Sequence, residues 1–195
     1  MKIIGLTGSI GMGKSVTAHQ WRSIGVPAHD ADFAVHQLLK PDGKAFPLIK
    51  RDFPTVIKKG VIDRQALGKI VFNKAEERRK LENIIHPLVR ENSQKFIECC
   101  RRRRVAICVL DIPLLFETGR DRDVDVVMCV TAPQWVQKRR VLSRPNMTAE
   151  KFKSIAKTQM PDYRKRVLSD YVVITARGRR HTLNAIKKIK MNEQE

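Results

Sequence analysis

Short runs of Val, Ile and Leu recur along the chain, bounded by glycine, proline or charged residues, with longer mixed stretches between them. Five of them, Lys2–Thr7, Val26–His29, Val105–Asp111, Val124–Val130 and Tyr171–Thr175, are nearly continuous in apolar residues rather than alternating. Strands buried on both faces of a parallel sheet carry that pattern, because helices cover each side. The stretches between them read as helical. The pattern predicts an α/β fold: an open parallel five-stranded sheet flanked by helices. No internal repeat or low-complexity segment interrupts it.

Two intervals exceed what a single crossover needs. About 75 residues separate the second and third strands. There Leu81, Ile84, Ile85 and Leu88 share a helical face, and Asp63 is placed to cap another helix. Pro87 stands where one helix would stop and the next begin. Residues 41–103 are therefore expected to form a helical insertion, and residues 133–169 a second, basic one. The core of this single domain would then be about 1–40, 104–132 and 170–195.

The chain has 195 residues, of which 42% are hydrophobic. A chain of this size buries about 70% of its unfolded surface and needs no disulfide or metal staple. Its apolar runs exclude intrinsic disorder, and none reaches the roughly 20 residues of a membrane span. The opening strand breaks at glycine too early for a signal-peptide core. A soluble, cytoplasmic protein is expected. None of Cys99, Cys100, Cys108 and Cys129 has metal-site or redox spacing. Cys108 and Cys129 read as core residues, Cys99 and Cys100 as the end of a helix, and all four fit a reducing compartment.

Lys and Arg number 39 against 20 Asp and Glu, a net charge of +19 that favours polyanionic partners. Residues 133–169 hold ten of the cations against two acids, and residues 177–190 hold six against none. Arg101–Arg104 reads as a solvated helix end whose charge complements the helix dipole.

Chemistry enters at Gly8-Ser9-Ile10-Gly11-Met12-Gly13-Lys14-Ser15, which matches G-x-x-x-x-G-K-[ST] between an apolar strand and the helical stretch Val16–Ile24. Glycines let successive backbone N–H groups turn into one concavity beside a helix N-terminus, which suits phosphate. Gly8, Gly11, Met12, Gly13, Lys14, Ser15 and Val16 are thus the expected nucleotide-binding residues. Lys14 would reach the β- and γ-phosphates, and Ser15 would ligate Mg²⁺. At the carboxyl end of the second strand stand Asp30, read as the cap of a helix starting at Ala31, and Asp32, free to face the cleft. A carboxylate there can take the proton of an attacking hydroxyl. Asp111 ends the third strand, where it either holds Mg²⁺ through water or only terminates the strand. After it, Leu114 faces either an acceptor ring or the core, and Glu117 either binds a ligand hydroxyl or is solvated. Arg140 and Arg144, spaced i, i+4, would share one helix face and form part of a basic lid over the phosphates.

These residues carry a resemblance to the dephospho-CoA kinase family from Ile3 to about Ile174. Its carriers are Gly5–Gly11 with Gly13-Lys14-Ser15, Asp30-Ala31-Asp32, His86-Pro87-Leu88-Val89, Asp111–Glu117, Arg140–Arg144, Gln159-Met160-Pro161, and Lys165-Arg166 ahead of Asp170–Val173. The resemblance implies a P-loop kinase fold with a core, a helical substrate-binding insertion and a helical lid. It implies transfer of the ATP γ-phosphate to the ribose 3′-hydroxyl of dephospho-CoA, with ATP and dephospho-CoA as partners and no specific nucleic acid or membrane. Asp32 would be the base, Lys14 and Ser15 would serve ATP and Mg²⁺, and Arg140 would be the lid arginine, with Arg144 also on the nucleotide. Asp30, Leu114 and Glu117 would contact the acceptor, and His86, starting a helix of the insertion, would help shape its site.

Two departures stand out. Val16 replaces the hydroxyl residue usual in the family, and Ile174-Thr175-Ala176-Arg177-Gly178 replaces its usual Asp-Asn or Asp-Thr, a loop near the adenine. Read without the resemblance, the residues leave two alternatives: another small-molecule kinase of this fold, or an RNA-binding protein that uses ATP as a switch. Only two Tyr and two Trp are available to the latter for base stacking.

Overall fold

A strand comes first: β1 is Lys2–Thr7, followed by α1 (Lys14–Ser23), β2 (Ala28–Asp30), α2 (Ala31–Leu38) and α3 (Phe46–Asp52). Next come β3 (Ile57–Lys58), β4 (Val61–Ile62), α4 (Arg64–Asn73), α5 (Ala75–Arg102) and β5 (Ile107–Asp111). The chain continues with β6 (Val126–Thr131), α6 (Gln134–Leu142), α7 (Ala149–Lys157), α8 (Asp162–Val167), β7 (Tyr171–Ile174) and α9 (Arg179–Asn192). This computed structural model describes residues 1–145 and 147–194; Asn146 in the expected lid stretch and Glu195 in the expected core lie outside the described residues.

One compact unit comprises Met1–Asp30 and Cys99–Glu195. Its five strands are all parallel, in the order β2-β5-β1-β6-β7, as the continuous apolar runs predict. Alternate residues of these strands, Ile4, Leu6, Val109, Met128 and Val173, join Ala18 and Trp21 of α1 and Ile186 and Ile189 of α9 in one buried cluster. Each such large side chain contributes roughly 1.5–3 kcal/mol by leaving water. Three strands, β2, β5 and β6, start two residues later than their apolar runs; for β2 and β5 the preceding helices are still closing. Val26 N–H donates to Trp21 O (3.0 Å), and Val105 N–H to Cys100 O (3.0 Å). Cys108 and Cys129 are buried in β5 and β6, and burial pushes both thiols up to about 12, so they stay neutral and unreactive. Among the described residues no helix is long and apolar enough to cross a membrane.

Ala31–Glu98 form the second unit, ten residues earlier than the expected insertion, so that α2 belongs to it. It contains an antiparallel hairpin that the apolar pattern does not announce. Ile57 pairs with Ile62 and Lys58 with Val61 across Lys59 and Gly60, both at positive φ (48° and 76°). Buried side chains include Ile49, Phe53, Val56, Ile62, Leu67, Ile85 and Val89. Pro87 does not separate two helices: α5 runs through it from Ala75 to Arg102. A proline inside a helix loses one hydrogen bond and costs about 3 kcal/mol. Burial of Ile85, Val89 and Ile97 on the same helix offsets that cost.

Asp63 caps α4 as its position predicts. Its Oδ1 accepts Gln65 N–H (3.0 Å) and Ala66 N–H (2.9 Å), and its Oδ2 accepts Lys58 Nζ (2.6 Å). The Lys58 ammonium, then the backbone donors, hold this carboxyl below its usual range. A lowered carboxyl adds stability that is present above its unfolded value and is lost as pH falls through its folded value. Asp63→Asn, which still caps, is therefore expected to flatten the acid limb of the stability–pH curve, read as Tm across pH 2 to 7.

Candidate active site

The loop Gly8–Gly13 joins β1 to α1 along the carboxyl edge of the sheet. A Cβ on Gly8 would lie 2.7 Å from Val130 O, so only glycine lets the loop pack this closely on β6. Gly13 sits at φ 96° as the cap of α1 and offers no side chain to the first helical N–H groups. Those donors and the positive end of the helix dipole face the concavity. Two glutamines hold the loop's outer turn: Gln159 Oε1 accepts Ile10 N–H (2.9 Å), and Gln137 Nε2 donates to Ile10 O (2.8 Å). Met12 is an anchor. Its side chain is buried, its Sδ accepts Ala132 N–H (3.1 Å), and its own N–H donates to Ser9 O (3.1 Å). The expected phosphate role of Met12 thus cannot use its N–H as it stands.

Lys14 Nζ donates to Asp111 Oδ1, pairing the loop's lysine with the acid that ends β5. Asp111 is only 2% exposed, and the Lys14 ammonium offsets part of the cost of burying its carboxylate. Asp30 ends β2 directly opposite Asp111 in the sheet register. Ser15 and Val16, in the first turn of α1, are exposed.

Arg140 of α6 reaches across to the turn after β7. Its Nη1 donates to Thr175 Oγ1 (2.8 Å) and to Gly11 O (3.5 Å), and its Nη2 to Thr175 O (3.1 Å). Arg144 does not share this helix. Chain atoms after Leu142 close α6 instead, with Ser143 N–H on Arg139 O and Arg144 N–H on Val141 O. Arg144 precedes Pro145, and proline disfavours helical backbone in the residue before it.

Glu117, expected to be a ligand for an acceptor hydroxyl or a solvated acid, is neither in this structure. Oε1 accepts Met160 N–H (2.6 Å) and lies 2.9 Å from Nζ of the fully buried Lys165, which also donates to Pro113 O (3.0 Å). Leu114, on the same segment, is 36% exposed and available to a ligand. In the second unit Asp32 lies exposed in the first turn of α2. His86 does not start a helix; it lies exposed in the middle of α5.

Residues 2–179 match the family model described as dephospho-CoA kinase. The chain belongs to the dephospho-CoA kinase family. A dephospho-CoA kinase of Mesorhizobium japonicum is 49% identical over 178 residues, covering 91% of this chain and 89% of that one. The dephospho-CoA kinase of Brucella abortus is 46% identical over 176 residues, covering 90% of this chain and 87% of the relative. Among solved structures, the dephospho-CoA kinase from Campylobacter jejuni aligns at TM-score 0.71 and 27% identity over 97% of this chain and 98% of its own. A shikimate kinase from Acinetobacter baumannii, at 17% identity and TM-score 0.57, shares the fold alone.

In this dephospho-CoA kinase family chain, Lys14, Asp111, Arg140 and the glycine loop meet on one edge of the first unit. The residues alone assign no role to Gln137, Gln159 or Lys165, although the last two stand in segments that carry the family resemblance. The resemblance places Thr175 only in a loop near the adenine. A hydroxyl residue closing an apolar strand at the carboxyl edge was the one local signal for Thr175.

Proposed function

We propose that this chain transfers the γ-phosphate of ATP to the 3′-hydroxyl of dephospho-CoA, giving CoA and ADP in the cytoplasm. The observation that carries this reading is the Gly8–Ser15 loop, with Lys14, Asp111 and Arg140 around it, in a chain that matches the dephospho-CoA kinase family over residues 2–179. The uncapped N–H groups at the start of α1 bind phosphate oxygens, and Lys14 moves its ammonium from Asp111 to the β- and γ-phosphates. Arg140 adds charge where the transferring group passes. Asp32 takes the proton of the 3′-hydroxyl as its oxygen bonds to the γ-phosphorus and the bond to the β-γ bridging oxygen breaks. Its support is its place two residues after the end of β2, on the chain that leaves the sheet's carboxyl edge.

The residues fit Mg²⁺. The Ser15 hydroxyl and the Asp111 carboxylate are hard oxygen donors, and Mg²⁺ in kinases is held by one or two protein oxygens plus phosphates. Held by Ser15 and Asp111, Mg²⁺ would supply positive charge to offset the negative charge developing on the leaving group. Asp30, Leu114 and His86 are assigned to the acceptor. Glu117 is not, because its carboxylate already holds Met160 and Lys165.

The test is ADP release from purified protein and Mg-ATP with dephospho-CoA, adenosine, AMP, CMP or no acceptor, and the mass of the product. ADP formed with dephospho-CoA alone, together with CoA, is expected. ADP formed with a nucleotide, or without any acceptor, would defeat the assignment.

A further inference from the structure

Thr175 leaves β7 at the carboxyl edge of the sheet and is 8% exposed. Its hydroxyl donates to Met12 O (2.7 Å) and accepts from Arg140 Nη1 (2.8 Å), and its carbonyl accepts from Arg140 Nη2 (3.1 Å). One residue thus makes contact with both the phosphate loop and the guanidinium beside it.

The two contacts differ in what they fix. A trans peptide points its C=O and its N–H in opposite directions. Turning Met12 O toward Thr175 therefore directs Gly13 N–H, on the same peptide, away from Thr175. Gly13 itself packs against the same side chain, since a Cβ there would lie 3.0 Å from Thr175 Oγ1. At the other contact, a bidentate grip on Oγ1 and O holds the guanidinium plane and leaves its remaining N–H groups to other acceptors.

We infer that Thr175 is a positioning residue for phosphoryl transfer: its hydroxyl sets the Met12–Gly13 peptide and, with its carbonyl, holds Arg140 in place to meet the transferring phosphate. The inference rests on the role given to Arg140 above. It assigns this chain's Thr175 turn to the phosphates, besides any contact with the base.

The test is a double-mutant cycle of Thr175→Val and Arg140→Ala, with Thr175→Ser as the conservative variant, scored by kcat, by KM for ATP and by Tm. Thr175→Val keeps the shape and removes the hydroxyl. It is expected to lower kcat by about 10- to 100-fold, the effect of a lost hydrogen bond to a charged group. KM for ATP should change by less than about threefold. Thr175→Ser should recover most of kcat. In the Arg140→Ala background, Thr175→Val should cost much less than it does alone, because its partner is gone. Full additivity would overturn the inference, as would parental kcat in Thr175→Val, or a Thr175→Ser as slow as Thr175→Val. If Thr175→Val and Thr175→Ala both failed to fold, Thr175 would be structural and the inference would fall. Parental kcat in Arg140→Ala would instead overturn the reading of Arg140, a separate result.

Discussion

Asp32→Asn is expected to bind ATP as the parent does and to lose turnover by about 10²- to 10⁴-fold, the range for a positioned base. The substitution keeps size and shape but takes away the carboxylate that receives the acceptor's proton. ATP affinity should survive because the groups assigned to the nucleotide, from Gly8 to Val16 and at Arg140, belong to the first unit, whereas Asp32 lies in α2 of the second. Asp32 is exposed, so loss of its charge should leave the fold intact. Titration calorimetry with ATP and steady-state rates with dephospho-CoA separate the two effects. Turnover near the parent's would remove Asp32 from the mechanism, and weakened ATP binding would place it on the nucleotide.

Glu117→Ala is expected to be a stability variant before it is anything else. The Lys165 ammonium is fully buried, and its charged partner is Glu117 at 2.9 Å; Pro113 O is a neutral acceptor. Removing one member of a buried pair leaves an uncompensated charge and costs about 3–5 kcal/mol. At roughly 2–4 °C per kcal/mol for a chain of this size, Tm should fall on the order of 10 °C. Adding Lys165→Met removes the stranded charge and should restore much of the loss. Calorimetry of the two variants checks this. An unchanged Tm with a raised KM for dephospho-CoA would return Glu117 to the acceptor site.

Strands and the phosphate loop were legible because their signals are local. A strand covered on both faces must be apolar throughout, and a loop that turns N–H groups inward must be rich in glycine. Boundaries were less so. The apolar runs at Val26 and Val105 include residues whose N–H groups still bond to the preceding helix, which no hydropathy pattern registers. Pro87 reads as a stop by local rule, and the burial that overrides the rule is visible only in the folded chain. Arg144 shows the reverse: Pro145 ends the helix by a local rule, against what the i, i+4 spacing suggests. Contacts around the loop were not legible at all. Ile10 meets Gln159 across 149 positions and Met12 meets Thr175 across 163, and only the folded sheet brings such pairs together. Glu117 had two readings, ligand or solvent, and neither foresaw a buried lysine 48 positions later.

The ion pair of Lys14 with Asp111 makes the loop a site of exchange rather than of simple addition. An anion that draws Lys14 away leaves the carboxylate, almost wholly shut off from solvent, without that cation, at a cost of several kcal/mol. A cation that arrives with the anion offsets that cost. The pair therefore couples two ligands thermodynamically: nucleotide affinity should rise with the concentration of divalent cation, and cation affinity should rise equally with nucleotide. A lone phosphate ester, bringing no metal, meets an opponent already seated on the lysine it needs.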